Sequence, residues 1–311
     1  MAGAPHILDG VTVPLVTPMD ADRRPDAALA KPLLATMDAA GIDTLMLLGS
    51  NGEGALIPAA AAARFARETA DLWRGMRGER SRLFVTVFGA GTAIGLENAR
   101  ALMAARPDAL VVAAPLYFIH TEDELADHFA SFAAFGVPVI VYNIPRYTGN
   151  PITLSLLGRL AGMPHIVGMK DSGGNDQYLL DALAATRNNS GFAISQGNEK
   201  RLGWALLEGA RGITPGLANI APALCVALAA AARKSRMDEV EALQARLTAL
   251  TAIHSLRPGV AAMKAALHLL GLAPMAPAAP FRPYSPTELE QLRAVLARMQ
   301  GDVGGHLRSG E

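Results

Sequence analysis

Short, continuous apolar runs recur along the chain, and Ala- and Leu-rich stretches with helical spacing lie between them. The runs are Val11–Thr17, Ile42–Leu48, Leu83–Phe88, Ala109–Ala113, Val137–Tyr142, Ile166–Lys170, Phe192–Ser195 and Gly212–Thr214. They do not alternate apolar with polar, which is how strands buried on both faces of a parallel sheet read. Helices are predicted over Asp26–Ala40, Ala59–Arg74, Ile94–Ala105, Glu122–Phe135, Leu154–Leu160, Gln177–Ala185 and Lys200–Glu208. Gly41 and Gly136 stand where helices should stop. Thr121 with Glu124 makes a capping box where one should start. Eight strands alternating with helices is the count for an α/β fold closed as a (β/α)8 TIM barrel.

Beyond the eighth strand the pattern stays helical, over Ala221–Arg233, Met237–His254, Val260–Leu270 and Pro286–Met299. Pro274, Pro277, Pro280 and Pro283 space out an extended linker before the last of these. A barrel does not need these helices. Residues 1–220 are therefore expected to form the barrel and 221–300 a C-terminal helical extension packed on it. Residues 301–311, polar and Gly-rich, read as a mobile tail.

Composition narrows the function classes. The 311 residues are 51% hydrophobic, and 28 basic side chains balance 28 acidic ones. A neutral chain without a dense Lys/Arg run gives no reason to expect nucleic acid or an anionic membrane as partner. Cys225 is the single cysteine, so neither a disulfide framework nor a cysteine metal cluster is expected. Residues 1–10 lack the basic and apolar segments of a secretory signal, and the apolar runs are shorter than the roughly 20 residues a bilayer requires. The expected location is cytoplasmic. His120, His128, His165, His254 and His268 show no metal-ligand spacing, and no metal site is expected.

In a (β/α)8 barrel the active site lies at the C-terminal ends of the strands. The polar groups that fall there are Gly49-Ser50-Asn51-Gly52-Glu53, Tyr117, Tyr142-Asn143, Lys170-Asp171-Ser172 and Gln196-Gly197-Asn198-Glu199. Lys170 stands out, because only five of the basic residues are lysines and the other four (Lys31, Lys200, Lys234 and Lys264) fall within helices or at a helix start. An amine leaving an apolar strand into a desolvated pocket can attack a ketone to give an imine. A lysine at a strand end is more often a solvated rim residue. Gly49 and Gly52 flank two small polar residues in a turn whose N–H groups can form an anion-binding nest, although an ordinary turn has the same composition. Tyr142, Tyr117 and Tyr147 offer hydroxyls at the mouth; each alone reads equally well as a packing tyrosine.

Taken in order, GSNGE, PLY, YNIP, GMKDS and GLAN resemble the dihydrodipicolinate synthase/N-acetylneuraminate lyase family, from Val13 to the C-terminal helices. The resemblance implies a (β/α)8 barrel with a helical extension, assembled as a homotetramer from two dimers. It further implies a class I lyase in which Lys170 forms a Schiff base with pyruvate and Tyr142 is the acid/base hydroxyl. Ser50 and Asn51, beside Gly49, would hold the pyruvate carboxylate, and Tyr117 would complete a hydroxyl relay in the neighbouring subunit's site. Pyruvate and an aldehyde are the implied partners. No cofactor or metal is implied, since the cationic imine is itself the electron sink.

Departures from the family pattern bear on the aldehyde. Lysine-pathway synthases that this chain resembles carry Arg where Tyr147 stands, and a tyrosine lacks the bidentate cationic fork that grips a carboxylate. Arg146, one residue earlier, is the alternative cation. Sialic acid lyases that are similar carry an acidic pair after the glycine at Gly197, where Asn198-Glu199 matches in part. Asn51 replaces a threonine usual in the family. These differences lead to the expectation of a 2-oxo-3-deoxy sugar acid aldolase, with Ser172, Gly197, Asn198, Glu199 and Tyr147 shaping the substrate site. Dihydrodipicolinate synthase, condensing pyruvate with aspartate semialdehyde, is the alternative. A non-catalytic barrel that binds a 2-oxo acid is the second alternative.

Overall fold

A computed structural model describes residues 5–308. Eight parallel strands, β1 (Gly10–Pro14), β2 (Thr44–Leu47), β3 (Arg82–Val87), β4 (Ala109–Ala113), β5 (Val139–Asn143), β6 (Ile166–Asp171), β7 (Ala193–Gln196) and β8 (Gly212–Ile213), close in sequence order into one barrel. Around them lie α1 (Lys31–Ala39), α2 (Ala59–Arg77), α3 (Thr92–Leu102), α4 (Glu122–Ser131), a short α5 (Pro145–Thr148), α6 (Leu154–Ala161), α7 (Asp176–Thr186) and α8 (Leu202–Leu207). The C-terminal helices are α9 (Pro222–Arg233), α10 (Met237–Leu250), α11 (Val260–Leu269) and α12 (Pro286–Ala297). The (β/α)8 architecture expected from the apolar runs is the one observed. Among the described residues no helix is long and apolar enough to cross a membrane.

Two apolar layers hold the fold. Val139, Val141, Ile166 and Met169 face outward with the helix stripes, while Leu8, Met46, Phe84, Val111, Ile140 and Tyr142 fill the barrel interior. Burying both faces explains the unbroken hydrophobic runs. The capping box Thr121–Glu124 starts α4 as its spacing predicts. The first strand is shorter than its apolar run. Past Pro14 only the Leu15 N–H still bonds β2, at 3.0 Å to the Met46 carbonyl, and the Val16 N–H donates to the buried Asn219 side chain at 2.9 Å. The helix α5 was not legible, because four residues opened by a proline give no periodicity.

The strand β6 contains an irregularity that decides which way its residues face. Its register against β5 shifts between Val139 and Ile140: Val139 stands opposite Ile166, but Ile140 stands opposite Gly168. One residue is therefore extra. Ile166 faces the helices, and strict alternation would send Gly168 and Lys170 the same way. The bulge resets the phase, so Met169 faces the helices and Lys170, opposite Tyr142, faces the interior. Gly168 has no room for a side chain, since a Cβ there would stand 2.4 Å from the Ala193 carbonyl oxygen and 2.6 Å from Leu8 Cδ1.

Residues 301–308 make contacts with the rest of the chain. Asp302 pairs with Arg246, the Gly304 N–H donates to the Ile220 carbonyl at 2.6 Å, and the Arg308 N–H donates to the Leu269 carbonyl at 2.8 Å. Val303 and Leu307 pack on the apolar core, a pairing that a polar-looking local sequence does not advertise. Residues 309–311 lie outside the described residues.

Because the atoms facing Gly168 are backbone and a buried leucine, Gly168→Ala should destabilise the fold by about 1–3 kcal/mol, the usual range for overpacking. Thermal or urea unfolding of the purified variant checks this, and an unchanged midpoint would contradict the packing described.

Candidate active site

The barrel register assembles the site. Tyr142, Lys170 and Ser195 are partners across β5, β6 and β7, so three neighbouring strands place polar side chains at one level of the interior. Lys170 is almost fully buried, and its amine lies 3.7 Å from the centroid of the Tyr142 ring. That is close contact for an amine over an aromatic face. The same amine donates to Ser172 Oγ at 3.2 Å. Gly197 makes this approach possible, because a Cβ there would stand 2.3 Å from Ser172 Oγ. Ser195 Oγ and Thr214 Oγ1, 2.7 Å apart, continue the polar layer toward β8.

Facing them is the turn after β2. Ser50 Oγ is 3.2 Å from the Tyr142 hydroxyl, close enough for a proton to pass in either direction. The turn is strained at both ends: Leu48 (φ 59°) and Glu53 (φ 57°) are non-glycine residues in the left-handed region. Such conformations survive only where surroundings enforce them. Thr17 Oγ1 donates to the Gly52 carbonyl at 2.6 Å, and the Glu53 N–H donates to the Ser50 carbonyl at 3.2 Å. Gly49 is boxed in by Met46, whose Cε would be 2.6 Å from a Cβ. Asn51 reaches toward the Gly216–Asn219 turn, its amide nitrogen 2.6 Å from where a Gly216 Cβ would stand.

Behind the interior layer lies a buried brace. Asn143 Nδ2 donates to Asp171 Oδ1 at 2.7 Å, the Gly173 N–H donates to the same oxygen at 3.1 Å, and the Ile152 N–H donates to Asn143 Oδ1 at 3.1 Å. Burial raises the Asp171 carboxyl above its ordinary range, and these donors together with Lys170 offset part of that rise. The brace ties the ends of β5 and β6 together just where Tyr142 and Lys170 emerge.

Glu199 Oε1 accepts the Leu217 N–H at 2.8 Å, so this carboxylate is held by the turn after β8. Desolvation pushes its pKa up to about 6, against the pull of the Leu217 and Gly216 N–H groups and of Lys170. Asn198 follows Gly197 at the end of β7. Its side-chain oxygen accepts the Lys200 N–H at 3.2 Å, and the residue lines an outer groove with Gly174, Asn175, Asp176, Gln177 and Arg201. Tyr147 is half-exposed on α5, with the Arg146 guanidinium 4.9 Å over its ring.

Tyr117 does not join the cluster within one chain. It is 85% exposed and left-handed (φ 84°), with its ring edge-on to the ring of Phe118. Its loop is held by Asn150, which the sequence did not single out. Asn150 Nδ2 donates to the carbonyls of Pro115 at 3.0 Å and Phe118 at 2.8 Å, while Oδ1 accepts the His120 N–H at 2.8 Å. An asparagine in a Thr-Gly-Asn-Pro stretch looks like any turn residue, so only its burial reveals it.

A buried lysine at the end of an inner strand, its amine against the face of a tyrosine ring whose hydroxyl contacts a serine, is the arrangement expected of lyases that work through a Schiff base. The profile of the dihydrodipicolinate synthetase family matches residues 7–299, and the chain belongs to that family. It is 33% identical over 230 residues to the 4-hydroxy-tetrahydrodipicolinate synthase of Acidiphilium cryptum, covering 72% of this chain and 75% of that one. Among solved structures it superposes on YagE of E. coli K12, a prophage protein of the dihydrodipicolinic acid synthase family in complex with pyruvate. That match has a TM-score of 0.88 at 25% identity, over 94% of this chain and 99% of that one. The dihydrodipicolinate synthase of Acinetobacter baumannii, complexed with pyruvate, matches with a TM-score of 0.87 at 25% identity, over 94% and 99%. The chain is thus a lyase of the dihydrodipicolinate synthetase family.

The raised Glu199 pKa has a consequence for stability. Between its free-carboxyl value near 4.5 and about 6 the folded chain keeps a proton that the unfolded chain has lost. Stability from this group therefore falls as pH rises through that window. Glu199→Gln keeps an acceptor for the Leu217 N–H and removes the ionisation. Its melting temperature should exceed that of the parent at pH 8, and the gain should vanish near pH 4.5. A pH series of thermal melts decides it.

Proposed function

We propose that Lys170 forms an imine with pyruvate and that the enzyme makes or breaks the bond between pyruvate C3 and the carbonyl carbon of an aldehyde. The observation that carries this reading is the buried Lys170 amine over the Tyr142 ring, with the Tyr142 hydroxyl in contact with Ser50. The amine adds to the C2 ketone, the carbinolamine loses water, and the protonated imine draws electrons from C3. Loss of a C3 proton gives an enamine. In the condensing direction the enamine carbon attacks the aldehyde carbon, whose oxygen takes up a proton; hydrolysis or displacement of the imine then frees the amine. In the cleaving direction the same steps run backward.

Tyr142 is the group placed to carry those protons, with Ser50 as its relay partner. The N–H groups of the strained turn at Ser50 and Asn51 would receive the pyruvate carboxylate. Tyr117, exposed with Phe118 and Ile119, would reach the corresponding site of a second copy in a homotetramer built from dimers. No further cofactor enters this scheme.

Two aldehydes suit the mouth. The names of the relatives favour aspartate semialdehyde, which would make the chain a 4-hydroxy-tetrahydrodipicolinate synthase, with Arg146 on α5 as the cation for the semialdehyde carboxylate. The tyrosine at 147 favours the other reading, a 2-oxo-3-deoxy sugar acid whose hydroxyls would meet Ser172 and Glu199. We place the synthase first, reversing the order that residue-by-residue elimination suggested.

Borohydride added with pyruvate should leave a reduced adduct on the Lys170 peptide by mass spectrometry, and Lys170→Ala should show none. An adduct on any other lysine would refute the assignment. Tyr142→Phe should keep the parental melting temperature and trap pyruvate, while turnover drops by roughly 10²–10⁴. Normal turnover would remove the proton-carrying role. Condensation of pyruvate with aspartate semialdehyde, measured against pyruvate release from 2-oxo-3-deoxy sugar acids, orders the two substrate readings.

A further inference from the structure

The turn that carries Ser50 and Asn51 ends in a carboxylate that the proposed reaction does not use. The Glu53 side chain is fully buried, and its Oε2 lies 2.5 Å from the Nζ of Lys264 on α11. Lys264 is 0% exposed. Glu53 Oε1 accepts the Ala278 N–H at 2.6 Å, and Lys264 Nζ donates to the Ala276 carbonyl at 2.7 Å. One ion pair thus fastens three distant stretches of chain: the turn after β2, the third C-terminal helix and the proline-spaced linker.

Stability alone is a poor account of this arrangement. Two buried charges must be taken out of water, and replacing such a pair by neutral groups of similar volume is often neutral or stabilising. What a buried pair does supply is a fixed geometry. The Glu53 backbone is left-handed, and its N–H closes the turn onto the Ser50 carbonyl. A carboxylate pinned from the far side is what keeps that strained residue, and with it Ser50 and Asn51, in place.

We propose that Glu53 and Lys264 are a positioning pair for the 2-oxo acid carboxylate, through which the C-terminal helices help to build the substrate site. This rests on the imine-forming reading of Lys170. Neither residue touches the substrate. Both act through the Ser50–Asn51 turn.

The deciding protein is the double variant Glu53→Gln, Lys264→Met, in which no charge is left unpaired. Borohydride trapping on Lys170 is followed against pyruvate concentration in parent and variant, alongside thermal melting. The half-saturating pyruvate concentration should rise roughly tenfold, equivalent to about 1.4 kcal/mol of lost binding. Trapping at saturation should stay within about threefold of the parent, the split expected when ground-state grip alone is lost. A folded double variant with unchanged half-saturation overturns the proposal, as does an insoluble one, which would assign the pair to stability. Failure of the parent itself to trap pyruvate would instead remove the imine-forming reading, and the pair's role with it.

Discussion

The site depends on the phase of β6. Side chains in a strand alternate with a period of two, so one extra residue exchanges the faces of everything beyond it. The bulge at Val167–Gly168 performs that exchange four residues or fewer from Lys170, and the register with β5 then sets the amine against the Tyr142 ring. Without it the amine would face the helices, and Met169 would occupy the interior. The bare Gly168 lets the bulge fit between Leu8 and β7, so a backbone requirement and a chemical one meet in a single short strand.

Around that centre the mouth is built from conformations that the chain does not adopt on its own. Leu48, Glu53 and Tyr117 are all left-handed without being glycine. Each belongs to a segment held by a buried polar side chain from elsewhere. Thr17 and Lys264 serve the turn after β2, and Asn150 serves the Tyr117 loop. The strain is local and the restraint is remote, which is why the C-terminal helices are more than an external buttress.

Two carboxyls lie close enough to Lys170 to feel its charge. Asp171 follows Lys170 in β6, and the Glu199 carboxylate is held by backbone N–H groups of the turn after β8. Both carboxyls are shifted upward by burial, and both are drawn back by Lys170. An added positive charge on a substrate imine would stand among groups already arranged around an amine.

Much of this was legible in the chain itself. Continuous apolar runs betray strands buried on both faces, and glycines and a capping box mark helix ends; these are short-range signals, carried by residues near one another, while the scarcity of lysine over the whole chain draws the eye to Lys170. Even the family could be read from short motifs in order. Other features involve partners far apart in sequence, and no local pattern encodes them. The tertiary structure alone decided that Asn150 organises a loop, that residues 301–308 lie against the body, and that Lys264 is sunk beneath Glu53. In each case the reason is the same: a polar group is satisfied by a partner far along the chain, which folding alone brings into reach.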